Sequence, residues 1–235
     1  MEWFQSVWQD FYNATIKEDR YLAYLEGLKV TIQISICAVL VGIVIGIIIA
    51  TVRVSAKQTK SKILAVLSKF CGAYVTVFRG TPVMVQLMII YFLIFNTRGA
   101  NQILIGTVCF GLNSGAYIAE IMRGGIESID KGQMEAGRSL GFNGLQTMRY
   151  IILPQAIKNV LPALGNEFIA LIKETSVISV IAVNDLMKMA SFVTSRTYKP
   201  LPPYIIAAAI YFVIVMLLTK LLSIFERRLA KSDHY

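Results

Sequence analysis

Four charged residues lie within segments that are otherwise apolar: Arg79, Glu167, Lys173 and Glu174. If those segments cross a membrane, each charge is costly and is therefore a candidate for binding or transport. Glu167 and Glu174 are seven positions apart, so on a helix they lie about 10 Å apart along the axis and on nearly the same face. The spacing predicts one acidic stripe near the middle of the membrane.

Arg79 belongs to the stretch RGTP, where Gly80 and Pro82 are expected to break the second span into two half-helices. Proline cannot donate a backbone N–H and disfavours helix at the preceding residue, Thr81. A broken helix survives in lipid only where it lines a cavity or is buried in protein. The start of the second half-helix, beside a guanidinium, suits a carboxylate.

Two alternatives give these charges a structural role. Arg79 would pair with Glu167 or Glu174 as a bridge within the chain, or Lys173 would neutralise a glutamate of a partner chain.

The composition requires several membrane spans. Apolar residues make up 56% of the 235-residue chain and charged residues only 16%, which is too apolar for a water-soluble chain of this length. A transmembrane helix needs about 20 mostly apolar residues, so we expect an all-α membrane protein with about five such helices. The predicted spans are 28–52, 63–95, 103–121, 157–183 and 204–225.

Lysine and arginine residues set the expected orientation, because cytoplasmic loops near span ends hold their excess. Segments 53–62 and 121–158 and the C-terminal tail together carry twice as many as the opposite side. We therefore expect the N-terminus outside and the C-terminus in the cytoplasm. Residues 1–23 would form an extracytoplasmic, interfacial segment, and residues 229–235 a cytoplasmic tail.

Several kinds of site are not expected in this chain. His234 is the only histidine, so a histidine-based metal site is not predicted. No GxxxxGK[ST] loop is present, so the chain does not bind ATP by that motif. A nucleic-acid partner is not expected either, because no basic patch with interleaved aromatics lies outside the predicted spans.

The segment 130–154 is polar although it lies between two predicted spans. Asp130 and Gln133 have the spacing of a capping box, and good helix formers follow until GFNG ends the element. We therefore expect a short cytoplasmic helix, a turn, and then Pro154 in the first turn of the next helix. The two small residues of its MEAG stretch would allow another surface to approach closely. An ordinary cytoplasmic connector would show the same features.

The order of residues in this segment resembles a known motif. Glu135, Ala136 and Gly137, followed by Gly141, are similar to the cytoplasmic "EAA" loop of permease subunits of ATP-binding-cassette importers. Gly137 replaces the second alanine of that motif.

Three further stretches resemble the polar amino-acid branch of these importers, the histidine/arginine/glutamine type. They are FRGTPVMVQL at 78–87, SGAYIAEIMRGGIESIDKGQ at 114–133 and KETSVISVI at 173–181. The resemblance covers most of the chain, and it implies a permease domain over residues 24–228 in a bacterial cytoplasmic membrane.

This resemblance implies a multi-subunit importer rather than an enzyme. The partners implied are a separate ATPase subunit that binds ATP and Mg²⁺, a second permease chain that is identical or related, an extracytoplasmic substrate-binding protein and an amino-acid substrate. No cofactor is implied in this chain. The loop would be a coupling helix that docks on the ATPase. Its expected contact residues are Gln133, Glu135, Ala136, Gly137, Arg138 and Gly141.

The resemblance also suggests what the intramembrane charges bind. Arg79, Gly80 and Thr81, at the break, would hold the substrate carboxylate. One of Glu167 and Glu174 would bind the ammonium group, and the other would be free for a cationic side chain. We therefore expect basic amino acids such as arginine, lysine or histidine, or other polar amino acids.

Two other functions fit part of the pattern. A proton-coupled secondary carrier could use Glu167 and Glu174 as proton-binding groups, although the loop at 130–154 would then have no purpose. A membrane scaffold or sensor subunit would leave the intramembrane charges unexplained.

Overall fold

The computed structural model describes residues 2–59, 61–95 and 101–231. His234 and the rest of the predicted tail beyond residue 231 lie outside the described residues. Within those ranges the chain is helical. The α-helices are α1 (Glu2–Thr15), α2 (Tyr21–Gln58), α3 (Lys62–Gly80), α4 (Val83–Ile94), α5 (Gln102–Glu127), α6 (Lys131–Ser139), α7 (Gly144–Thr147), α8 (Leu153–Glu174), α9 (Leu186–Thr197) and α10 (Leu201–Lys231).

Helices lie at all five predicted spans, but their ends differ from the predicted ones and the second and fourth spans are interrupted. Among the described residues, α2, α3, α5 and α10 are each long and apolar enough to cross a membrane, and the bent segment that contains α8 and α9 gives a fifth when it is counted as one span. α2 has 38 residues, so it runs well beyond the predicted range at both ends. α1, at the N-terminus, has the exposed tryptophans Trp3 and Trp8, as an interfacial helix would.

α5 is the central helix of the bundle. In the apolar 18-residue stretch of each helix, 61% of the residues of α5 are buried within the chain, compared with 6% for α3 and 6% for α10. α2 lies against α5 through small residues on both helices. A Cβ at Gly46 would come 2.5 Å from Ile118 Cγ2, and one at Gly115 would come 2.8 Å from Ile45 Cγ2. These glycines therefore allow the two backbones to approach closely, as in other membrane helix pairs.

The fourth span is not the single helix predicted over 157–183. α8 ends at Glu174 and a 3-10 helix continues to Ile181. Ala182 then takes a left-handed conformation, with φ of 60°, and α9 leaves at a bend of 49°.

α9 was missed in the sequence because it is short and follows polar residues. Asp185 caps it by accepting hydrogen bonds from the backbone N–H groups of Met187 and Lys188. Its buried face, which includes Leu186 and Val193, packs with α2 and α10. The segment between the fourth and fifth predicted spans is therefore part of the bundle.

Candidate functional site

The break predicted in the second span lies between α3 and α4. α3 ends at Gly80, Thr81 is extended, and Pro82 is the N-cap of α4 without a side-chain cap. The two pieces are unequal, with 19 and 12 residues, so the expectation of two half-helices needs correction. α3 is by itself long enough to span, whereas α4 is not.

Two buried amide side chains hold the break together. Gln86 Nε2 donates to the carbonyl oxygens of Phe78 at 2.8 Å and Thr81 at 3.0 Å. Asn113 Nδ2 in turn donates to Gln86 Oε1 at 2.8 Å. Asn113 is near the middle of α5, so the break lies at about the middle of the bundle. Neither amide is among the predicted site residues, and Gln86 is a lone amide in an apolar run of the sequence.

The Thr81 hydroxyl is engaged within the chain. Its Oγ1 donates to Val77 O at 2.8 Å and accepts from Gln86 Nε2 at 2.8 Å. Thr81 was predicted as a substrate ligand, but the structure gives its side chain a role in closing the end of α3. Gly80 is exposed, and among the described residues nothing lies within 4 Å of an added Cβ there.

Arg79 reaches from the end of α3 onto α5. Its guanidinium carbon lies 5.3 Å from the centre of the Tyr117 ring, and Nη1 lies 3.6 Å from Glu120 Oε2. The Arg79 side chain is 43% exposed. Its ion-pair partner within the chain is therefore Glu120, and the alternative of a bridge to Glu167 or Glu174 is wrong.

Glu120 is the centre of an ionic cluster at the predicted cytoplasmic end of the spans. Arg123, one turn further along α5, pairs with it, with Arg123 Nη2 2.7 Å from Glu120 Oε2. Arg53 of α2 pairs with the same carboxylate, and Glu127 pairs with Arg123 and with Lys57. The cluster ties α2 to α5 and leaves Arg79 as the most distant of three arginines around Glu120.

Glu167 lies against the same face of α5 as Arg79. Ser114, which is fully buried, donates from Oγ to Glu167 Oε1 at 2.8 Å. Ser114, Tyr117 and Glu120 follow one another at intervals of three, so they line one side of the helix. Glu167 and Arg79 therefore both contact this side of α5, through Ser114 and Tyr117 respectively.

Glu174 is separate from this group. It is the last residue of α8, two turns beyond Glu167, and its side chain is exposed. Among the described residues no ion pair involves it. Lys173, beside it, is also exposed.

The polar loop forms the predicted short helix, α6. Asp130 caps it by accepting from Gly132 N at 2.7 Å, one residue earlier than the capping box expected with Gln133. At the other end Phe142 N donates to Gly137 O and Gly141 N donates to Arg138 O, the two bonds of a Schellman motif. Gly141 has φ of +90°, which favours glycine there.

The two faces of α6 differ sharply. Gln133, Glu135, Ala136 and Arg138 are exposed. Gly137 is buried, and a Cβ on it would come 2.5 Å from Thr147 Cγ2. The absence of a side chain at Gly137 therefore permits packing within this chain, and the expectation that Gly137 presents an open surface to a partner needs correction.

The connection from α6 to α8 is ordered by local bonds. Asn143 and Gln146 form the capping box of α7, and a π-helix over Met148–Ile152 leads into α8, with Pro154 in its first turn as predicted. Leu140, Leu145 and Tyr150 are 77%, 79% and 62% exposed in this region. An apolar patch of this kind on a polar loop marks a contact surface.

A metal site is not formed by the described part of the chain. Within residues 2–59, 61–95 and 101–231, no three His, Cys, Asp or Glu side chains are grouped so that they could hold an ion.

Comparison with known proteins decides between the possible classes. Residues 42–231 match the family described as "Binding-protein-dependent transport system inner membrane component". The chain belongs to this family. It is therefore a multi-pass inner-membrane permease subunit of an ATP-driven import system, not an enzyme. A proton-coupled carrier and a scaffold are set aside.

Named relatives cover almost the whole chain. An arginine transport system permease protein of Bacillus subtilis is 38% identical over 224 residues, 94% of this chain and 98% of the relative. A glutamine transport system permease protein of Escherichia coli is 36% identical over 208 residues, 87% of this chain and 92% of the relative. A solved structure described as an amino acid ABC transporter with histidines is 43% identical, has a TM-score of 0.81, and aligns with 88% of this chain and 94% of its own.

Proposed function

We propose that this permease moves polar amino acids into the cell, with a preference for arginine, lysine or histidine. The named relatives support a polar amino acid, because they are called arginine and glutamine permeases. They do not decide between a basic and a neutral side chain, so the preference rests on the charges in the spans.

The observation that carries the proposal is that Arg79 and Glu167, which have opposite charges, both contact one side of α5. The Arg79 guanidinium is partly exposed and only loosely held by Glu120 at 3.6 Å, so it can bind a carboxylate through its planar fork. Glu167, held by Ser114, can bind an ammonium group. A zwitterionic amino acid presents both groups. Gly80, beside Arg79, leaves open space for a ligand.

The preference for a basic side chain rests on the second glutamate. A permease for neutral amino acids needs one carboxylate for the substrate ammonium, and another carboxylate at mid-membrane would cost at least a few kcal/mol. Glu174 lies on the same helix as Glu167 and is exposed, so it can bind a cationic side chain.

A second permease chain follows from the exposure of these polar groups. Arg79, Gly80 and Glu174 are exposed on this chain, and neither a charge nor a broken backbone is stable against lipid. A second copy, or a related chain, would cover this side and enclose the substrate path.

The cytoplasmic partner would be an ATPase subunit that binds ATP and Mg²⁺ and docks on α6. The exposed residues Gln133, Glu135, Ala136 and Arg138 offer polar contacts, and the patch that includes Leu140 and Leu145 offers apolar ones. Gly141 sets the end of the helix, and Gly137 holds it against the chain. On the opposite side, an extracytoplasmic binding protein would deliver the substrate, as the family description requires.

The test is reconstitution with the ATPase, the second permease chain and the binding protein in liposomes. ATP hydrolysis stimulated by a panel of amino acids is measured. We expect stimulation by arginine, lysine or histidine to exceed that by neutral amino acids. No stimulation by any basic amino acid would contradict the preference, and no stimulation by any amino acid would contradict the substrate class.

A further inference from the structure

We infer that Gln86 and Asn113 are positioning residues that set where the Arg79 guanidinium meets the substrate carboxylate. This inference rests on the proposed role of Arg79 in carboxylate binding. Gln86 is on α4 and Asn113 on α5, so the pair joins the segment after the break to the central helix.

The bonds replace helix hydrogen bonds that the break removes. In a continuous α-helix, Phe78 O would accept from the N–H of residue 82, but Pro82 has none. Gln86 Nε2 donates to Phe78 O instead, at 2.8 Å. The Thr81 hydroxyl likewise donates to Val77 O at 2.8 Å, the acceptor that the Thr81 N–H would reach in a helix.

The two backbone carbonyls that accept from the Gln86 amide lie on either side of Arg79 in the chain. Phe78 precedes it directly and Thr81 follows two residues later, and Gln86 Nε2 contacts the carbonyl oxygens of both. The backbone at Arg79 therefore has its position fixed by one side chain of α4.

Asn113 fixes that side chain in turn. Its Nδ2 lies 2.8 Å from Gln86 Oε1 and 3.4 Å from Phe78 O. Gln86 and Asn113 are 8% and 3% exposed, so water does not compete for these bonds and an unpaired group there is costly. Asn113 is one turn from Tyr117, whose ring lies beneath the Arg79 guanidinium. The residue that supports the backbone at Arg79 and the ring that contacts its guanidinium are thus one turn apart on α5.

The role requires an amide at each position. Gln86 must donate to carbonyls and accept from Asn113 at once, which a carboxylate or an alkyl group of similar size cannot do. Gln86→Leu removes both functions and keeps the volume, and Asn113→Ala removes only the support of Gln86.

The test compares two ligands that differ in the carboxylate. Labelled arginine is bound to the purified complex of both permease chains with the ATPase, and unlabelled arginine or argininamide displaces it. For Gln86→Leu we expect arginine affinity to fall about tenfold, the scale of one charge-assisted hydrogen bond, and argininamide affinity to stay within about twofold. Asn113→Ala should also lower arginine affinity selectively, but by a smaller factor. If the Gln86→Leu protein does not assemble, the same measurement on Asn113→Ala tests the inference.

Gln155→Leu is the matched control. Gln155 Nε2 also donates to a backbone carbonyl, that of Ile151, at 2.8 Å, but in the first turn of α8 and away from the break. It should change neither affinity.

Arg79→Lys separates this inference from the proposed function. If Arg79→Lys lowers arginine affinity selectively and Gln86→Leu does not, the positioning role is overturned and the carboxylate role stands. If Arg79→Lys shows no selectivity between arginine and argininamide, the carboxylate role itself fails. Equal loss of both ligands in Gln86→Leu and Asn113→Ala would show that the pair serves stability alone.

Discussion

Arg79 Nη1 lies 3.6 Å from Oε2 of Glu120, a carboxylate that already pairs with Arg53 and Arg123. Three guanidinium groups therefore share one carboxylate, and Arg79 is the most distant of them. The surplus positive charge at the end of α3 favours an additional anion. This geometry makes Arg79 the first residue to test.

Arg79→Lys keeps the charge but loses the planar fork that binds a carboxylate through two bonds. We expect substrate-stimulated transport to fall about 10- to 100-fold, the equivalent of about 1.5–3 kcal/mol for hydrogen bonds to a charged group. Uptake of labelled arginine into proteoliposomes measures the change. Arg196→Lys is the control, because Arg196 also lies over an aromatic ring, that of Phe192 at 5.2 Å, outside this site. Normal transport by Arg79→Ala would exclude a role for the guanidinium.

Glu167→Gln and Glu174→Gln together test which glutamate binds the substrate ammonium and which binds a basic side chain. A glutamine can still accept the hydrogen bond from Ser114, so local packing is kept while the charge is lost. We expect Glu167→Gln to weaken the binding of basic and neutral amino acids alike by about 1–3 kcal/mol, because every amino acid presents an ammonium group, and Glu174→Gln to weaken the binding of basic ones only. Competition of arginine, lysine and glutamine against a labelled substrate measures this. A loss confined to arginine and lysine in Glu167→Gln would assign Glu167 to the basic side chain instead. An equal loss for arginine and glutamine in Glu174→Gln would contradict the role of Glu174 in side-chain preference.

The sequence predicted the spans because hydrophobic length alone determines them, and it predicted the break because Gly80 and Pro82 are local signals. It did not predict the ion-pair partner of Arg79, since Glu120 is 41 positions away and the pairing depends on how α3 crosses α5. Helix α9 was missed for a related reason. Its stability comes from burial against α2 and α10, which no local pattern reveals.

The polar loop illustrates the same limit at smaller scale. GFNG was predicted to end the short helix, and Gly141 does so with a positive φ. Gly137 belongs to the same motif, but its environment depends on Thr147, which returns to α6 only after the turn. The motif could not show which glycine faces outward and which faces inward.

Gly141→Val tests whether the end of α6 sets coupling. A β-branched residue in the left-handed region costs about 1–2 kcal/mol, so the Schellman turn should shift and carry the exposed face of α6 away from its partner. Combined with Glu135→Ala, it should abolish substrate-stimulated ATP hydrolysis while the protein still inserts in the membrane. Gly141→Asn is the control, because asparagine tolerates a positive φ, and it should keep most of the coupling. Full coupling in the Glu135 and Gly141 double variant would rule out docking through this helix.

Gly137→Ala tests whether α6 acts only when it is packed on its own chain. The added Cβ would lie 2.5 Å from Thr147 Cγ2, a distance at which something must shift, so we expect α6 to detach from α7 and the π-helix segment. Coupled ATP hydrolysis should fall, and limited proteolysis should cut the 130–154 loop faster. Thr147→Ala removes that methyl group. The side chain then nearest to the added Cβ is Ile151, with Cδ1 at 3.0 Å. The Gly137→Ala and Thr147→Ala double variant should therefore recover part of the coupling. Thr147→Ala alone loses only its bond to Asn143 O and should stay coupled. If the double variant is no better than Gly137→Ala, the loss arises at the ATPase surface rather than at the contact within this chain.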